Sequence, residues 1–213
     1  MLTSKEQALT LSYLMRSRKR RDRDASKAAI LATASELFAK NGFERTSLAD
    51  VGAAAGVSRG LPAYFYKNKE HLYLAVFERA SEEVRKCVLS AVQALPAHAP
   101  IEQVLGSIVE SYLNFLDGNP NAVRLLQWES LKPPEGRLKA PSMLFDDAVV
   151  VVEQTLKRSG HTEVDARFLL LSIVGMCFFP FGTVSTFKGK PTMLSAYKKH
   201  VLDVVLNGIR GAQ

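Results

Sequence analysis

Apolar side chains recur at steps of three and four through most of the chain, and no strand–turn–strand pattern appears. Ile30, Leu31, Ala34, Leu37 and Phe38 share one face, which predicts a helix over 26–41. Asp24 or Ser26 stands where an N-cap would, and Asn41-Gly42 supplies the stop. Ser47-Leu48-Ala49-Asp50 matches a capping box with Asp in place of Glu, ahead of a short helix carrying Leu48, Val51, Ala54 and Ala55. Gly56 ends that helix. Ser58 is the expected cap of another short helix reaching about Tyr64, with Pro62 in its first turn, where a missing N–H costs least. Two short helices joined by Ala55-Gly56-Val57-Ser58 are a helix-turn-helix pattern. Asn68 then caps a long helix whose stripe runs Leu72, Val76, Ala80, Val84, Cys87, Val88, Ala91 and Leu95 until the prolines of 96–100. Helices are predicted over 101–116, 121–131, 142–159, 163–187 and 192–209, with Gly- and Pro-containing breaks between them. The expected fold is all-α: about nine helices, three short ones in a small head and the rest in a larger apolar body.

Composition narrows the class. At 47% hydrophobic and 23% charged residues over 213 positions, the chain has ample apolar surface for a core, so disorder throughout is excluded. Two cysteines, Cys87 and Cys177, exclude a disulfide scaffold and a structural zinc site, and fit a reducing compartment. The N-terminus lacks the order of a secretory signal, and a cytoplasmic location is expected. Charge is unevenly spread: residues 1–67 hold 12 Lys/Arg against 6 Asp/Glu, whereas residues 68–213 hold 16 against 15. Nearly all of the net +7 therefore sits in the first third, which points to a polyanion, nucleic acid or an anionic membrane. Six bases and one acid crowd into 16–23, the end of a flexible basic arm over 1–23. Such an arm either follows phosphates or the minor groove, or is a solvated tail. Residues 168–187 are 20 positions without a charge, but Ser172, Gly175, Pro180 and Gly182 interrupt them. They read as a helix buried in a core or subunit interface rather than in lipid, and no membrane partner is expected.

At Ala54-Ala55-Gly56-Val57-Ser58-Arg59-Gly60, followed by Tyr64-Phe65-Tyr66-Lys67-Asn68-Lys69-Glu70-His71-Leu72, the sequence resembles a TetR-family transcriptional regulator. The family's ordered blocks are met at 38–43, Thr46-Ser47, Val51-Gly52, 55–58, 64–66 and 67–72, within roughly 30–77. Gly52 stands where the family usually has Ala, and Ala63 where many members have a phosphate-touching Tyr. The chain is similar to the subset with Ser-Arg-Gly-x-Pro-x-Tyr-Phe at this helix. The resemblance implies a helix-turn-helix DNA-binding domain over 24–70 and a helical ligand-binding and dimerisation domain over 71–213. The expected function is that of a ligand-responsive repressor binding a near-palindromic operator as a dimer.

The residues suit that chemistry. A helix entering the major groove needs donors at its start. Ser58, Arg59, Gly60 and Leu61 form that start: Arg59 can donate twice to guanine, Gly60 permits close approach, and Leu61 can touch a thymine methyl. Tyr64 can reach a phosphate, its alternative being a core aromatic; Phe65 reads as core and Lys67 as a surface charge. Lys69 at the start of the long helix, and Thr46 and Ser47 at the start of the second, stand where helix N-termini attract phosphate. For Ser47 capping alone would also suffice, and for Arg59 a solvated surface position.

The resemblance implies that the last two helices pair with their mates across a dimer, through Leu169, Ile173 and Met176 on one and Val201, Val205 and Ile209 on the other. An intramolecular core is the competing reading, and some of these residues serve both. It also implies a pocket in the body, for which Phe115, Trp128, Phe145, Phe168 and Phe178 are the candidates, and a small hydrophobic or aromatic effector. The expected partners are thus double-stranded DNA, that effector and a second copy of the chain, with no cofactor and no metal.

Enzymatic signatures are missing from the sequence. There is no phosphate-cradling loop: Lys188-Gly189-Lys190-Pro191 lacks the glycine spacing. His71, His98, His161 and His200 are scattered, and the adjacent Asp146 and Asp147 would point apart on a helix. The alternatives are a helical small-molecule-binding or enzymatic protein with an incidental basic head, and a membrane-associated protein anchored through 168–187.

Overall fold

Between Met1 and Asn41 the chain has neither glycine nor proline, and no residue there stops a helix. The structure, a computed structural model that describes residues 4–132, 146–182 and 191–211, carries a single helix, α1, over Ser4–Asn41. It begins well before the 26–41 that apolar spacing predicts. Spacing marks only the turns that pack, whereas Arg, Lys, Ala and Leu prolong a helix with no core beneath it. Ser26 is accordingly not a cap; its Oγ donates to the Asp22 carbonyl at 2.8 Å.

Residues Met1–Val76 and Phe77–Gln213 form two compact units. In the first, Ile30, Ala34 and Phe38 of α1 are fully buried. Phe38 meets Tyr73 edge-on, ring centres 5.1 Å apart, and stacks with Phe43 at 6.1 Å; Phe43 and Tyr73 close the group at 5.1 Å. Such aromatic pairs add about 0.5–1.5 kcal/mol each beyond the area they bury. Around this group stand α2 (Leu48–Ala54) and α3 (Leu61–Tyr66), which pack on α1 and on each other. The start of α4 (Lys69–Gln93) adds buried Leu72, Tyr73 and Val76.

The second unit is organised on α5 (Ile101–Gly118), which packs against α6 (Pro120–Ser130), α7 (Asp146–Arg158), α8 (Ala166–Gly182) and α9 (Pro191–Arg210). Every regular element among the described residues is helical, nine in all. The core joins Leu105, Val109, Leu113 and Leu116 of α5 to Val152 and Leu156, Leu170 and Ile173, and Val201 and Val205. Polar groups drawn into it are satisfied. Thr155 donates to the Val151 carbonyl at 2.8 Å and accepts from Arg158, which also donates to the Ala97 carbonyl. Tyr197 ties α9 to α8 by donating to the Met176 carbonyl at 2.9 Å. Burial pushes the Cys177 thiol up to about 12, so it stays protonated, and Cys87 is also a free thiol. Arg85 of α4 binds Glu82 at 2.7 Å and Asp147 of α7 at 2.8 Å. The hydrogen bonds from Arg85 hold the Glu82 carboxyl down at about 2.

Within 168–187, α8 turns Leu170, Ile173 and Cys177 into this core, and 183–187 lie outside the described residues. No helix among the described residues is long and apolar enough to cross a membrane.

Candidate nucleic-acid interface

The capping box forms as the spacing predicts. Ser47 Oγ accepts from the Asp50 N–H at 3.1 Å and donates to Asp50 Oδ2 at 2.6 Å, while the Ser47 N–H reaches the same carboxylate at 3.2 Å. These bonds, with the nearby Arg59 charge adding to them, lower the Asp50 pKa. Gly56, at φ 68°, makes the turn out of α2 in a conformation that side chains disfavour. The next turn differs from expectation. Ser58 makes no cap; Gly60 is the N-cap of α3 and offers no side chain to it. The backbone compensates, the Leu61 N–H donating to the Ser58 carbonyl at 3.0 Å and the Tyr64 N–H to the Gly60 carbonyl at 3.1 Å. Ser58, Arg59 and Gly60 are left exposed as a bare turn leading into α3, and Leu61 is half-buried.

Gly52 fixes how near that turn lies to α2. A Cβ placed there would stand 2.9 Å from the Ser58 carbonyl oxygen, 3.0 Å from Arg59 Cα and 3.3 Å from Pro62 Cδ. Two of the three are backbone atoms of the turn itself. Gly52→Ala gains about 1 kcal/mol of helix propensity, but overpacking of this kind costs about 1–3 kcal/mol. The expected result is a net destabilisation on the order of 1 kcal/mol in urea melts, with a clear loss of DNA affinity because the turn must move. A more stable variant with unchanged DNA affinity would show that the approach is not tight.

Tyr64 is 69% exposed and lies edge-on to Phe65, ring centres 5.4 Å apart. The Arg23 guanidinium of α1 sits over both rings, at 6.0 Å and 5.7 Å. Lys27, one turn further along, lies 5.7 Å over the Tyr66 ring. Sequence reasoning did not pair α1 with α3, because 41 residues separate Arg23 from Tyr64 and no local pattern links them.

Two of the expected phosphate ligands are placed otherwise. The Thr46 side chain is only 2% exposed, and its hydroxyl donates inward to the Gly42 carbonyl at 2.9 Å, so it secures the α1–α2 loop and offers nothing to phosphate. Lys69 turns back: its Nζ donates to the Phe43 carbonyl at 3.1 Å and the Glu44 carbonyl at 3.4 Å, 4.3 Å from the Phe43 ring. It holds that loop to α4. Asn68 caps α4, its Oδ1 accepting the His71 N–H at 2.9 Å.

The helices assigned to the dimer divide differently from expectation. Ile173, Val201, Val205 and Ile209 are buried in their own unit, and Leu169 and Met176 are half-buried against the same core. The outward stripe of α8 is Phe168, Leu171, Ser172, Gly175 and Phe179, with Val204 and Gly208 exposed on α9. A groove of about 450 Å³ runs between these helices, lined by Phe168, Ser172, Met176, Val204 and Gly208 among others. The apolar pattern marks the core-facing stripe first. The signal for this second, exposed apolar face lay in α8 being apolar all round.

The pocket aromatics do not converge. Phe168 is 70% exposed on the outer stripe, Phe115 is packed in the core, Phe178 is half-buried against it, and Trp128 lies under Arg124. Phe145 is outside the described residues. An open cleft of about 410 Å³ lies where α7 gives way to α8, around His161 and Arg167, and none of these aromatics lines it. No cluster of metal-binding side chains occurs among the described residues.

An exposed turn and short helix carried on a capped partner helix, in a small basic unit joined to an all-helical body, define a helix-turn-helix DNA-binding regulator. Comparison with known proteins gives the family. Residues 30–76 match the model of bacterial regulatory proteins of the tetR family. The chain is 30% identical over 156 residues to the HTH-type transcriptional activator FasR of Mycolicibacterium smegmatis, covering 72% of this chain and 69% of that one. It is 37% identical over 156 residues to the HTH-type transcriptional regulator RutR of Escherichia coli, covering 70% of each. The structure of the Bacillus subtilis regulator FadR in complex with stearoyl-CoA superposes with a TM-score of 0.67 at 18% identity, covering 85% of this chain and 98% of that one. The chain belongs to the TetR family and is a DNA-binding transcriptional regulator.

Proposed function

We propose that the protein is a repressor that binds a near-palindromic operator as a homodimer and is released by a small hydrophobic or aromatic effector. Base reading is assigned to Ser58, Arg59, Gly60 and Leu61 at the mouth of α3, in the manner of the Ser-Arg-Gly-x-Pro-x-Tyr-Phe subset. Tyr64 takes a backbone phosphate, while Ser47, both of whose donors go to Asp50, keeps the capping role alone. The observation that carries the assignment is the exposure of this turn: Arg59 stands free of any ion pair among the described residues at the start of a helix thin enough to enter the major groove. One such helix spans only a few base pairs, so useful specificity needs two, and the face assigned to the second copy is the exposed apolar stripe of α8 with Val204 and Gly208 of α9. The effector is assigned to the helical body. Its apolar interior supports the reading, as does the acyl-CoA held by FadR on the same fold. Binding releases DNA only as far as the effector prefers the arrangement unfit for the operator. The protein acts in the cytoplasm, and no catalytic role is assigned.

Selection from a pool of random duplexes tests this. Enrichment of an inverted repeat is expected, with half-site centres about 10 bp or a multiple apart. The protein should sediment on it as a dimer or pairs of dimers. Absence of enrichment over random competitor would overturn the reading.

A further inference from the structure

α1 continues for several turns beyond the apolar positions that pack it into the head. At 3.6 residues per turn, Lys19, Arg20, Arg23 and Lys27 fall within roughly 100° of arc on this helix. The two acids of the stretch, Asp22 and Asp24, fall outside that arc. All four bases are exposed, and none makes an ion pair among the described residues.

Solvated helix faces elsewhere in the molecule mix their charges. Arg79 pairs with Glu83, Lys86 with Glu82, and Lys157 with Glu153, each at a spacing of four. On the α1 face Lys19 to Arg23 and Arg23 to Lys27 are like charges at that same spacing, which repel, and Arg20 and Asp24, although four apart, form no ion pair. A polyanion laid along the face relieves the repulsion. The face is also aligned with the reading helix, for Lys27 sits over Tyr66 and Arg23 over Tyr64 and Phe65. Lys19 and Arg20 carry it about one helical turn past that contact, so the four bases span about 12 Å of axis, the reach of several phosphates. A membrane surface would need large apolar residues among the bases, and 18–27 holds only Ala25, with Leu14 and Met15 lying before the basic stretch.

We propose that the Lys19, Arg20, Arg23 and Lys27 face of α1 is a second DNA-contact surface, seated on the sugar–phosphate backbone of the duplex flanking the bases read from α3. It rests on the reading of α3 as the helix in the groove. Because it touches only backbone, it adds affinity and extends the protected duplex without adding sequence preference.

The test uses the full chain carrying Lys19→Gln and Arg20→Gln, which leave Arg23 over its rings. Binding is measured by fluorescence anisotropy over a salt series on three duplexes: the selected operator with ten base pairs of flank, the same operator trimmed of its flanks, and a scrambled sequence. Circular dichroism checks that helix content is kept. The salt slope is expected to fall by about two units for each protomer bound. Affinity should fall equally on flanked operator and scrambled duplex, and trimming the flanks should weaken the parent protein more than the variant, which keeps Arg23 and Lys27. An unchanged slope and affinity would overturn the proposal, as would a loss confined to operator preference. Binding to phosphatidylserine vesicles that the variant loses, with DNA binding intact, would assign the face to a membrane and also overturn it. Arg59→Ala on the same duplexes tests the α3 reading separately: that reading expects the operator preference to go, whereas equal losses on operator and scrambled duplex would count against it and leave the α1 result to be judged by its own salt slope and flank dependence.

Discussion

Leu171→Asp yields a monomer whose hold on a two-half-site operator is weaker by a factor on the order of 10²–10⁴. Leu171 is 67% exposed in the single chain, on the outward stripe of α8, so a carboxylate there disturbs no core of its own unit. In a symmetric pair it would be buried twice, each copy stripped of water beside an apolar partner surface, and interfaces do not tolerate unpaired charge at their centre. The loss on DNA follows from linkage. With two heads joined, the second half-site is bound at a high effective concentration, and separation of the heads forfeits that factor without touching either reading helix. Sedimentation equilibrium, with anisotropy on full and half operators, measures both effects. Half-site affinity should be unchanged. A variant that remains dimeric and binds the full operator as before would place the interface elsewhere.

Arg59→Ala removes the discrimination at the base pair that its guanidinium reads. A bidentate contact to guanine is worth about 1–3 kcal/mol, and symmetry doubles it, so about 2–6 kcal/mol of operator preference is at stake. Affinity for scrambled duplex should fall far less, because the sequence-independent share comes from phosphate contacts. Asp50 serves as a check on the side chain's setting. Its lowered pKa owes most to Ser47 and least to the Arg59 charge, and the two side chains form no ion pair. Competition anisotropy with operator and scrambled duplex separates the two terms. Equal losses on both would make Arg59 a phosphate ligand and leave base reading to the remainder of the turn.

The legible features were those decided by neighbours in sequence. The capping box at Ser47 and Asp50 and the turn at Gly56 rest on contacts a few residues long, and they form as the spacing predicts. Helix count and order followed from periodicity for the same reason. Features decided at a distance were less legible. Lys69 looks from sequence like a phosphate ligand at a helix start, yet the loop 26 residues earlier presents two carbonyls that claim its ammonium. Thr46 is drawn inward by the same loop. Ser58 yields the cap position to Gly60, the turn between them being closed by the Leu61 N–H on the Ser58 carbonyl. In α8 the periodic residues were found, but which side faces the unit's own core and which faces outward depends on where α5, α7 and α9 lie. Length misled for α1, where apolar spacing ended and the helix did not.

Gly52 bears on how such a regulator changes its target. It touches no base, yet the backbone of Ser58 and Arg59 rests against it with no room for a methyl group. Alanine, the residue usual in the family, would displace the Ser58–Arg59 turn by a few tenths of an ångström, and with it the start of α3. Operator choice can therefore drift across generations while every residue facing the DNA stays the same.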